Sequence, residues 1–148
     1  MAMPTPTCYI GVMGRQLHTA YKAGAAYFAT VFALGFVLGT LRVLWLVPMV
    51  GETNAVLAEQ PVMLIASWFA AGWLVGRYRL ASVREKAIMG VIAFLMLMLA
   101  EVTLASLLFG QPPAAWLGSL FAMPGIIGLA GQTLFALMPL FVRRGRQA

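Results

Sequence analysis

Aspartate is absent from the 148-residue sequence, cysteine and histidine occur once each, and charged residues amount to only 9%. The lone Cys8 allows neither an intrachain disulfide nor a paired-cysteine redox or zinc motif. The lone His18 shares the N-terminal stretch with it, where both read as solvated side chains. No histidine is left within the apolar runs to activate a nucleophile such as Ser67. Nor can one join Glu52, Glu59 and Glu101 in the kind of carboxylate metal site that helical bundles build. No metal and no cofactor is expected. The scarcity of charge excludes most soluble folds, since a soluble domain carries about a quarter charged residues.

What the sequence has in abundance is apolar length. Hydrophobic residues make up 62% of it, and a core that apolar leaves too little polar surface to face water. The expectation is an all-α integral membrane protein with lipid as its solvent. Ten Lys/Arg against four Glu give a net charge of +6. These basic residues flank the apolar runs, as side chains facing anionic headgroups do. No basic helix or stacking platform stands apart from those runs, so the expected partner is the bilayer and not nucleic acid.

Four runs are long enough to cross a hydrocarbon layer of roughly 20 helical residues. They cover residues 25–50, 55–76, 87–109 and 114–142, within a membrane domain 23–142. Residues 1–22 read as a tail whose second half lies along the membrane, and residues 143–148 as a basic tail. The second run needs Glu59 inside it, with Pro61 accommodated in a first turn. The fourth is broken at Pro124-Gly125. The connection RYRLASVREK carries Arg77, Arg79, Arg84 and Lys86, and the two tails carry Arg15, Lys22, Arg143, Arg144 and Arg146. The connections GETN and GQPP carry no Lys or Arg. This alternation predicts a four-transmembrane-helix bundle with both termini in the cytoplasm, in a bacterial inner membrane. The first run is too long for a signal peptide, contains Arg42, and lacks a small-residue cleavage site.

One face of each predicted helix combines small residues with polar ones. Gly35, Gly39 and Arg42 fall at i, i+4 and i+7, and Gly35-Phe-Val-Leu-Gly39 is a GxxxG of the kind that lets helices approach closely. Glu59 shares a stripe with Met63, Ala66 and Ala70, Glu101 with Leu97 and Ala105, and Gly125 and Gly128 with Gln132. The expected packing positions are therefore Gly35, Gly39, Ala66, Gly125 and Gly128. Arg42 and Glu101 each come out roughly 10 Å below the outer ends of their helices. An Arg and two Glu on three helices thus converge in the outer half of the membrane, where each unpaired charge is expensive. The economical arrangement turns them inward, with Arg42 paired to Glu59. One Arg cannot neutralise two Glu, so Glu101 is left to bind a proton or a cation, near Gln132.

The run GTLRVLWLVPMVGETNAVLAEQPVMLIASW resembles a group of small uncharacterised bacterial inner-membrane proteins, which implies no particular activity. Asn54, Glu59, Gln60 and Pro61 are faintly similar to the loop after helix one in the membrane glutathione transferases. The spacing differs, that family's basic residues are missing, and this loop is predicted to face outward. The small multidrug transporters share the size, the helix count and an intramembrane Glu, but carry that Glu in the first helix, where this chain has Arg42. The function expected first is a non-enzymatic accessory or interaction subunit of a larger membrane complex. Second is a proton-coupled small-solute transporter working as a homodimer, with Arg42, Glu59, Glu101 and Gln132 as its site. An enzyme acting on a lipid-soluble substrate comes third.

The topology has a direct test. A reporter active only in the cytoplasm should work when fused after Arg146, and one active only in the periplasm should work at Thr53 or Gln111. The opposite pattern at either outer connection would overturn the four-crossing arrangement.

Overall fold

A computed structural model of the chain describes residues 6–142, with side chains from Gly14 onward. The tail 143–148 and residues 1–5 lie outside the described residues. The order of elements is α1 (Pro6–Leu41), a π-helical segment (Arg42–Leu46), α2 (Val47–Val50), α3 (Glu52–Arg77), α4 (Val83–Phe109), α5 (Pro113–Ser119) and α6 (Gly125–Phe141). Three stretches are long and apolar enough to cross a membrane: Gly14–Val50, Glu52–Arg77 and Val83–Phe109. Helix α6 is apolar too, but at 17 residues it is shorter.

Each departure from regular helix has a local cause. Pro48 has no N–H to offer the Leu44 carbonyl, and its ring crowds that carbonyl. The backbone widens just before it, and the Val47 N–H reaches back to the Arg42 carbonyl in the π register. Gly51, at φ +80°, turns the chain into α3. That helix starts at Glu52, so Pro61 stands well inside it and not in a first turn as the sequence suggested. Ser82 and Glu85 start α4 with reciprocal side-chain-to-backbone bonds, a capping box. Gly110 ends it in the left-handed region. The expected fourth run is two pieces, α5 and α6, with a turn and a cis Met123-Pro124 bond between them. Helix α1 also begins earlier than the expected first span and runs unbroken through residues 6–22.

Helix α1 packs against α3 and α4, and α6 packs against the same two from the other side. The closest approaches of one helix backbone to another fall at one end. A Cβ at Gly24 would lie 2.9 Å from both Ile92 Cβ and the Met89 carbonyl, and one at Gly90 would collide with the Ala136 carbonyl. These two glycines, one on α1 and one on α4, let backbones meet where apolar burial supplies little drive. Lys86 in the first turn of α4 donates to the Val142 carbonyl at 2.8 Å, placing a cation at the negative end of α6. The middle of α1, the beginning of α4 and the ends of α3 and α6 therefore meet at one pole, which carries Arg77, Arg79, Arg84 and Lys86. The contiguous core sits at this pole and includes Tyr27, Leu74, Val75, Met89 and Phe135.

Tyr27 ties this pole together. It is fully buried on α1 and stacks on Phe135 of α6, with ring centroids 4.3 Å apart. Its hydroxyl lies 3.0 Å from the Phe135 carbonyl and 3.3 Å from the Ser67 carbonyl on α3. In a regular helix the Phe135 carbonyl would accept from the N–H of residue 139, but that residue is Pro139. Tyr27 supplies the missing donor from a neighbouring helix. Tyr27→Phe should lower stability by about 1–2 kcal/mol. The same change in a Pro139→Ala background should cost much less, because that substitution restores the helical N–H. Equal losses in both backgrounds, read by thermal unfolding in detergent, would show that the hydroxyl acts some other way.

Candidate functional site

Away from the packed pole the helices enclose a cleft of about 660 Å³. Every element from α1 onward except α2 contributes to its wall. Val31, Gly35 and Gly39 come from α1, Met63 and Ser67 from α3, Leu97 and Leu104 from α4, and Phe135 from α6. The irregular backbone gathers here as well. Arg42, Val43 and Leu44 of the π segment line the cleft, and so do Leu120, Pro124 and Gly125 around the break between α5 and α6.

Four of the polar side chains that line the cleft stand in two pairs. Arg42 Nε lies 2.7 Å from Glu59 Oε2, but its N–H is not aimed along that line, so the contact is one of charge more than of aligned hydrogen bonding. Both side chains are largely covered, at 27% and 15% exposure. Arg42 begins the π segment, and the widened turn there presents its guanidinium to α3. Gln132 on α6 donates from Nε2 to Glu101 Oε1 on α4 at 2.5 Å. Its own Oε1 is buried and has no partner. The charge of Arg42 acts on Glu101 as well as on Glu59, so the two pairs form one electrostatic group. Among the described residues, no hydrogen bond is formed by the terminal amino groups of Arg42 or by the second oxygen of Glu101.

The structure thus brings Arg42, Glu59, Glu101 and Gln132 to one cleft. The small residues named from the sequence are placed differently. A Cβ at Gly35 would meet the Met63 methyl of α3 at 3.0 Å, so this glycine does face a neighbouring helix. At Gly39 the nearest atom is an amino nitrogen of Arg42, at 4.0 Å. That glycine makes room for the guanidinium rather than for another helix of this chain. Gly125 abuts the preceding turn, where a Cβ would strike the Ser119 carbonyl, and Gly128 has nothing within 4 Å because it opens on the cleft. Ala66 is half-buried and stands outside the cleft wall. Close packing falls instead to Gly24 and Gly90, neither of which belongs to a GxxxG.

Sequence reasoning assigned no packing role to Gln60 or Gly131. The Gln60 amide fills the place a Cβ would take at Gly131, fitting α3 to α6 beside the charged group. An amide inside an apolar run, next to an expected buried Glu, was the available signal.

No family model, curated protein or solved structure matches the chain, so its chemistry has to be read from this geometry. The group contains one permanent cation, two carboxylates and an amide that can turn over. With Nε2 toward Glu101, the amide serves a carboxylate. With Oε1 toward it, the amide would accept from a protonated acid. The site can therefore accommodate Glu101 in either protonation state.

The Arg42–Glu59 pair is open to a double-mutant cycle. Removing either partner leaves the other poorly solvated, a loss of about 3 kcal/mol for a well-buried pair. Arg42→Gln and Glu59→Gln should each lower the unfolding temperature, and the double mutant should regain part of the loss. Strictly additive losses would mean that the two do not depend on each other.

Proposed function

We propose that the protein is a membrane carrier whose internal cleft takes up a small solute and couples that uptake to a proton on Glu101. Arg42, Glu59 and Gln132 form the rest of the polar site. The chain crosses the membrane four times, through α1 with its π segment and α2, through α3, through α4, and through α5 and α6 together. Helix α6 alone rises about 26 Å, short of a hydrocarbon layer of about 30 Å, and α5 with the intervening turn makes up the difference. Non-helical backbone is tolerated at that depth where it lines a cavity, which is how Leu120, Pro124 and Gly125 are placed. By the positive-inside rule the basic pole faces the cytoplasm, with both termini on that side of a bacterial inner membrane. The cleft then lies toward the outer leaflet.

The observation that carries this reading is the coincidence of hollow and charge. An accessory subunit, the expectation from sequence alone, works through its outer surface and has no use for a charged interior void. A volume near 660 Å³ falls within the range of about 300–1,000 Å³ usual for small-molecule sites. The four polar side chains of the site all come from one chain, and the cleft they line is half open.

Water-soluble reagents should reach a solute cleft from outside the membrane. In a Cys8→Ser background, Gly128→Cys should react with a small charged methanethiosulfonate reagent, since its Cβ opens on free space. Leu99→Cys, on the exposed apolar surface of α4, should not react. An inert Gly128→Cys would indicate a sealed interior and return the accessory-subunit reading to first place.

A further inference from the structure

We infer that the solute is an apolar organic cation bearing at least one N–H donor, such as a protonated amine on an aromatic or aliphatic body, bound against Glu101 and Gln132. The inference rests on the carrier reading above and supplies its ligand. It begins with a charge count. The titratable groups facing Glu101 across the cleft are Arg42 from the π segment and Glu59 from α3; α5 and α6 contribute none among the described lining residues. With both glutamates ionised the group carries one net negative charge, which a poorly solvating interior disfavours. One proton or one monovalent cation neutralises it. An anion could be neutralised only after both glutamates had taken up protons, against the pull of Arg42 on each.

Hydrogen-bonding capacity points the same way. Gln132 Oε1 is a buried acceptor without a partner, and the Glu101 oxygen remote from Gln132 forms no hydrogen bond among the described residues. Both acceptors belong to the pair that Arg42 does not hold directly, and the free Glu101 oxygen is the one that an ammonium group in the cleft would meet, with Gln132 holding the other oxygen of the carboxylate. The walls account for the rest of the ligand. Phe32, Phe36, Phe135 and Trp116 line the cleft alongside leucines, offering an apolar body burial. Binding is then an exchange. The ammonium arrives with its own protons, the Glu101 carboxylic acid gives up one proton to solvent, and the carboxylate that remains pairs with the bound cation. Arg42 stays with Glu59 throughout, so the exchange involves Glu101 alone and one proton leaves for each cation bound.

The test uses purified protein in nanodiscs of zwitterionic lipid and three probes of matched shape: 2-phenylethylammonium, 3-phenylpropanoate and 3-phenylpropanol. Calorimetric titration in buffers of different ionisation enthalpy reads both affinity and protons released. The ammonium should bind, should release close to one proton where Glu101 starts protonated, and should bind less tightly as pH falls. Glu101→Gln should weaken it by about tenfold or more, the value of a charge-assisted contact. Gln132→Met, which keeps the carboxylate, should weaken it less. If Glu101→Gln does not fold, Gln132→Met and the proton count still decide the matter. Ammonium binding without proton release, or unchanged in these variants, overturns the inference. Preferred binding of phenylpropanoate or phenylpropanol overturns the inference and leaves the carrier reading standing. Binding of none of the three overturns both.

Discussion

A polar group inside a bilayer has no water to turn to, and the two halves of this protein meet that constraint in opposite ways. At the basic pole a missing hydrogen bond is supplied by a neighbouring helix. Pro139 strips the Phe135 carbonyl of its donor, and Tyr27 restores one from α1 while its ring stacks on Phe135. Gly24 and Gly90 bring backbones together, and Lys86 closes the end of α6. In the other half the helices part, and charge is met by countercharge. Arg42 faces Glu59, Glu101 faces Gln132, and the space between them stays open. The solid half holds the four long elements at fixed separations, so the side chains of the hollow half meet across it.

The prolines follow the same division. Pro139 is compensated within the packed core. Pro48 and Pro124 lie at the open end, where the backbone they disturb borders the cleft. Pro48 has a further consequence, because the π turn it induces begins at Arg42. A π turn adds one residue to a helical repeat and so offsets the faces on either side of it. The i, i+4, i+7 relation of Gly35, Gly39 and Arg42 holds because all three precede that offset. Face assignments made across it, from Gly39 to Trp45 for instance, would have failed.

Much of the site could be read from the sequence because membrane insertion makes charge conspicuous. Arg42, Glu59 and Glu101 stand out in apolar runs, depth arithmetic puts them at one level, and Pro124-Gly125 marks the break that separates α5 from α6. What could not be read depends on two distant residues at once. Neither Tyr27 nor Pro139 signals its role alone, since the need arises on α6 and the remedy on α1. The glycines mislead for a related reason. A GxxxG spacing says that a face is smooth, but not whether a helix, a guanidinium or a cavity lies against it. Here Gly35, Gly39 and Gly128 meet one of each. The length of α1 was hidden because its first turns are polar enough to resemble a tail, although Ala20 and Ala23 are fully buried.

The hollow and the surplus charge bear on each other. The cleft is half open, so its surroundings, lipid or water, reach its walls. Lipid chains alone could fill the apolar wall, but they would leave the second oxygen of Glu101 without a partner in a medium of low polarity. Water alone would serve that oxygen while wetting Phe32, Phe36 and Leu104 at the expense of apolar contact. An occupant with a polar end and an apolar body satisfies both surfaces at once. The carboxylate that one arginine cannot neutralise is the feature that sets this cleft apart from a simple gap between helices.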